Sequence, residues 1–134
     1  MFKYNQDYER RDDIIFGAAC PPEEEWAGGI RRFEIAPSVM EKLIDEGFVD
    51  ITDRHNDSPS IEDYMQFFRF VAKPELWKII GYAVSHERDD YRVSVDGCET
   101  ESNLNISDLT AFATLFRFAD EFELTPYNVR CWFD

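Results

Sequence analysis

The spacing of apolar side chains changes along this chain, and each change predicts a different element. Met40, Leu43, Ile44 and Phe48 recur at helical spacing after Pro37, and Gly47 is a natural stop. A helix over 38–47 follows, with Ser38 and Glu41 at the spacing of a capping box. A second stripe is formed by Ile61, Met65, Phe68 and Ala72 and broadened by Tyr64 and Val71. Opposite it run Glu62, Gln66, Arg69 and Lys73. This predicts an amphipathic helix over 59–73, closed by Pro74.

Beyond Pro74 the period falls to two. The run 76–84 is a strand by composition, and Tyr91, Val93 and Val95 alternate with Arg92, Ser94 and Asp96. With the polar turn S-H-E-R-D-D between them, the two read as an antiparallel hairpin, 76–84 against 91–96. Its second strand would turn Arg92, Ser94 and Asp96 to water. After a polar loop, Phe112, Leu115, Phe116, Ala119 and Phe122 predict a helix over 107–122, capped by Ser107 or Asn105. The polar stripe of that helix, Thr110, Thr114, Arg117 and Glu121, is narrow, which implies deep burial against a sheet. Residues 129–133 alternate again and suit a last strand.

The first 36 residues are the least regular. Residues 13–16 and 30–35 suit short strands, and the segment 20–29 is a Pro-, Glu- and Gly-containing loop anchored by Trp26. The elements sum to an α+β fold, a small two-layer domain over 1–134 in which three helices pack an antiparallel sheet.

Composition narrows the function classes. A chain of 134 residues with 44% hydrophobic and 16% aromatic side chains can bury a core without crosslinks. No apolar run reaches the roughly 18 residues of a membrane span. The first residues contain no apolar stretch of the kind a secretory signal carries, so a cytoplasmic location and no membrane association are expected. Cys20, Cys98 and Cys131 are widely spaced and read as free thiols.

Charge changes the picture most. Twenty-eight acidic residues against fourteen basic ones give a net charge of -14, a field that repels phosphate, so direct nucleic-acid binding is not expected. Three uses of the acid remain: solubility, adaptation to high salt, and recognition of a basic protein partner. Four Lys against ten Arg suit the salt reading, and twelve Phe weigh against it.

The stretch D-R-H-N-D-S-P-S-I-E-D-Y, starting at Asp53, resembles a ligand loop because Asp53, His55 and Asp57 alternate. As a calcium hand it fails, with His55 at the third position, Ser58 at the sixth and Tyr64 at the twelfth. Helix rules explain it better, since Ser60 and Asp63 have capping-box spacing and Pro59 suits a first turn. As a metal site, His55 with Asp53 and Asp57 offers three ligands, and the other arrangement would join His55, His86 and a Cys. Nucleophile elbows and phosphate-binding glycine loops are absent from the sequence, and no cofactor is expected.

Aromatic residues make the best case for binding. Phe67 and Phe70 share a helix with Phe68 and cannot all point inward with it, and Trp132 lies on the last strand. The hairpin turn adds Glu87, Asp89 and Asp90 as contacts for a basic partner. The expected function is a non-catalytic acidic protein-binding or regulatory domain, an inhibitor of a basic nucleic-acid-binding protein being its sharpest form. Exposed aromatics would also permit a homodimer. Its rivals are a metal-dependent enzyme or metal sensor using His55 and His86, and a halophile-type domain.

Overall fold

The computed structural model describes residues 1–20, 22, 25–125 and 127–134. Among them are four α-helices, α1 (Tyr8–Phe16), α2 (Pro37–Asp45), α3 (Ile61–Phe70) and α4 (Ile106–Leu115). Five strands accompany them, β1 (Ile30–Ile35), β2 (Trp77–Val84), β3 (Val93–Thr100), β4 (Glu121–Leu124) and β5 (Val129–Trp132). The strands form one antiparallel sheet in the order β1-β2-β3-β5-β4. The fold is a small α+β domain with helices packed on the sheet, and none of the described helices is long and apolar enough to cross a membrane.

Strand alternation sorts side chains onto two faces. Phe33, Ile35, Ile79, Val95, Cys98 and Cys131 point to one face and merge with Met40, Leu43, Met65, Phe68, Phe112 and Phe116 of the helices into one core. Trp77 sits at its centre, with the Phe67 ring edge-on at 5.1 Å and Phe112 at 5.7 Å. Each such side chain contributes about 1.5–3 kcal/mol when buried.

Several local expectations are met by visible chemistry. Ser60 and Asp63 exchange side-chain and backbone bonds in a complete capping box at the start of α3. The Asn105 side chain accepts from the Asp108 N–H at 2.7 Å and caps α4. Gly47, at φ 83°, takes the left-handed turn that ends α2. Trp26 is buried as an anchor, although Pro21, Glu23 and Glu24 of the expected loop lie outside the described residues.

Other expectations are corrected. Residues 13–16 belong to α1, not to a strand. Asp7 caps that helix, and its buried positions include Arg11 and Asp12, whose polarity masks the helical period. Ser38 does not cap α2, which begins at Pro37 with Ala36 in the cap position and no side-chain cap. The 59–73 helix is shorter: Val71 turns extended, and the Asp108 carboxylate accepts the Ala72 N–H at 3.1 Å, which draws the chain out of the helix. The 107–122 helix stops at Leu115, and its expected last turn becomes β4. The second hairpin strand runs from Val93 to Thr100, with a bulge opposite Ile80 and Gly81. Ser94 and Asp96, expected in water, are buried, and the Arg32 guanidinium donates to Asp96 at 2.8 Å.

Candidate protein-binding surface

Apolar side chains stay outside the core along α3, α4 and β4, on both flanks of α4. Ending α3 at Phe70 leaves that ring 57% exposed, because the chain turns away before another helical turn could cover it. α4 turns Phe112 into the core, as Phe116 at its C-cap does, and leaves Ile106 and Leu109 outside. Phe118 follows, 69% exposed, with the Arg117 guanidinium 4.5 Å from its ring. β4 then adds Phe122 and Leu124, and Tyr127 stands 82% exposed in the turn before β5. An open groove of about 570 Å³ runs between Phe70, Thr110, Ala111, Thr114 and Leu115.

Acidic residues accompany this apolar surface. Asp120, Glu121 and Glu123 are exposed. Arg130 donates to Glu121 at 2.6 Å, and the Asn128 amide donates to Glu123 at 3.1 Å. Among the described residues no cation lies within ion-pair distance of Asp120 or Glu123. Exposed apolar surface beside carboxylates is an arrangement that can dock a basic protein surface.

The sequence-predicted contacts are not brought together. Phe67 is buried, which corrects its expected exposure. Its ring packs on Phe68, Trp77 and Phe116 at 5.1 to 5.5 Å because α4 closes over the flank of α3. Phe70 does lie at the surface. Trp132 is partly buried on the sheet face opposite the helices, beside a shallow concavity with Arg32, Ile80, Glu99, Glu121 and Arg130. Glu87 and Asp89 are exposed on the turn after β2, whereas Phe70 precedes the start of that strand. Asp90 is engaged: Arg88 and Arg92 donate to it at 2.7 and 2.8 Å. Partial desolvation would raise its carboxyl, but these bonds win and hold it below the usual carboxylate range.

The metal candidates disperse as well. Among the described residues no group of three or more His, Cys, Asp or Glu is arranged to hold a metal ion. The His55 ring meets Tyr82 edge-on at 6.0 Å, and His86 stacks on Tyr8 at 3.6 Å. Asp53 is half-buried, and desolvation raises its carboxyl despite the nearby Arg92 charge. Asp57 is exposed.

Leu109, Phe118, Phe122 and Leu124 were not singled out from sequence as surface residues. The available signal was the F-A-D-E-F-E-L run at 118–124, whose strict alternation from Glu121 to Leu124 belongs to a strand. Comparison with protein-family models, curated proteins and solved structures gave no match.

Proposed function

We propose that this protein is a non-catalytic binding domain that docks a basic protein partner on the exposed surface of α3, α4 and β4. The observation that carries this reading is that Phe70, Leu109, Phe118, Phe122 and Leu124 stay exposed along α3, α4, β4 and the segment between α4 and β4, where Asp120, Glu121 and Glu123 are exposed as well. Apolar anchors supply affinity when water leaves them, and the surrounding carboxylates select and steer a positively charged partner. The net charge of -14 acts in the same direction at longer range.

The test is recovery of tagged protein from its native lysate at low and high salt, beside a variant carrying Phe70→Ser and Leu109→Ser. A basic partner that is retained at low salt, released by high salt and lost with the double variant is the expected result. Elution of the wild-type chain alone at both salts sinks the reading.

A further inference from the structure

The geometry points to a specific mode of docking: β4 accepts an extended segment of alternating basic and apolar residues as a sixth strand. This deepens, and rests on, the basic-partner reading above. β4 ends the strand order, and all four of its residues are exposed. The Thr125 N–H donates to the Asn128 carbonyl at 2.9 Å and sets the phase of the β4–β5 ladder. By alternation, the backbone groups of Glu121 and Glu123 face β5, and those of Phe122 and Leu124 face outward. An antiparallel strand on this edge would therefore hydrogen-bond to Phe122 and Leu124. Glu123 would fall in the non-hydrogen-bonded pair, where opposing side chains come closest.

The two faces of β4 differ in chemistry. Phe122 and Leu124 share the core face with Cys131 and Val129, and the Phe122 ring lies 5.3 Å from Phe112. Glu121 and Glu123 share the other face with Trp132 and Arg130. An added strand would extend the core with apolar residues opposite Phe122 and Leu124. It would favour a cation opposite Glu123, which has no ion-pair partner among the described residues, and a second beside Glu121, which shares Arg130, because opposite charges across a ladder stabilise it and like charges destabilise it.

Strand parity removes a second copy of this chain as the occupant. Paired residues of an antiparallel ladder share a face, so a two-fold pairing that sets more than one β4 residue against the β4 of the other copy can centre only on Phe122 or Glu123, since centring on Leu124 pairs that residue alone. Centred on Phe122, it sets Glu121 of each copy opposite Glu123 of the other. Centred on Glu123, it sets that residue against itself. The acids that block self-pairing are the same ones that favour a Lys- or Arg-bearing strand.

The experiment uses a fluorescein-labelled peptide alternating lysine and valine, a control peptide with its lysines and valines in separate blocks, and a glutamate–valine control. Binding is read by anisotropy and by backbone amide shifts. Leu124→Pro deletes an outward N–H while sparing the bonds to β5, and Glu123→Lys reverses the closest charge. The expected result is salt-sensitive binding of the alternating peptide alone, with the largest shifts at Phe122 and Leu124. Each variant should weaken it by about tenfold or more. Should Leu124→Pro disturb β4, Glu123→Gln replaces it and should weaken binding severalfold.

Equal binding of the block peptide, or full affinity in both Glu123 variants, overturns strand addition. If the shifts then centre on Phe70 and Leu109, basic-partner docking on α3 and α4 survives. Failure of both lysine peptides to bind at low salt removes both readings. Self-association of a Glu121→Gln, Glu123→Gln variant, with no peptide binding by the wild type, would assign the acids to edge protection alone and also overturns the proposal.

Discussion

Phe33 lies against Gly81 so closely that a Cβ at position 81 would sit 2.7 Å from its Cζ, and 2.1 Å from the Ser94 carbonyl oxygen. The ring can rotate away, but the Ser94 oxygen belongs to the β3 backbone, paired across the bulge. Gly81→Ala should therefore destabilise the fold by about 3 kcal/mol, at the upper end for overpacking. Adding Phe33→Leu should not rescue it. Urea denaturation of the single and double variants is the measurement.

Arg11 should matter far more than its neighbour Arg10. Its side chain is fully buried, donating to Asp12 at 2.8 Å and to the Val84 carbonyl at 2.7 Å, with its guanidinium 4.6 Å from the centre of the Tyr91 ring. Arg11→Met keeps the stem, removes the charge beside Asp12 and should cost about 3–5 kcal/mol. Arg10→Met breaks the solvent-exposed bond to Glu46 and should leave the unfolding midpoint nearly unchanged.

Phe67 and Phe70 separate stability from binding. Phe67→Ala empties the space between Trp77 and Phe116 and should cost about 3–5 kcal/mol. Phe70→Ala should change stability by no more than about 0.5 kcal/mol while weakening partner binding. Paired denaturation and binding curves give both values.

Asp53 predicts a pH effect of definite sign. Burial raises its folded-state pKa above the unfolded value, so the native state holds the proton more tightly. Its contribution to stability is best in acid and declines as pH rises through the folded pKa, leaving a net penalty at neutral pH. Asp53→Asn should raise the thermal midpoint at pH 7, with the gain shrinking as the solution is acidified through the carboxylate range. A midpoint difference that does not vary with pH would contradict this.

The thiols predict a selective reaction. Cys98 and Cys131 are buried and face each other with their sulfurs 3.7 Å apart, and burial pushes the Cys98 thiol well above its ordinary value. Cys20 is only partly buried. A chromogenic disulfide reagent should titrate one thiol quickly in the native protein and all three in denaturant.

Elements that carry their own chemistry were legible in the sequence. Ser60 and Asp63 announce the start of α3, Asn105 that of α4, and the alternation through Val93 and Val95 the existence of a strand, though not its bounds or its buried Ser94. The failures lie where tertiary contact decides. α1 places Arg11 and Asp12 at buried positions, so its inward face does not look apolar. Phe122 continues the helical phase of Phe112 and Phe116 by coincidence of spacing, yet it pairs with Cys131 in the sheet. Phe67 is buried only because a helix from nearly 40 residues later packs on it, and nothing near position 67 records that. How much of Phe70 and Phe122 stays exposed is hidden from the sequence for the same reason: one depends on how α3 sits beside α4, the other on how the β4–β5 hairpin does.

The strand order β1-β2-β3-β5-β4 also has a temporal meaning. β4 is synthesised before β5 but cannot touch β3, and it gains a place in the sheet only when β5 arrives to stand between them. The nascent chain can assemble β1, β2 and β3 with their helices while β4 still has no neighbour. The outer edge is thus the last surface to come into being, and a ligand that reads it would distinguish finished molecules from those still emerging from the ribosome.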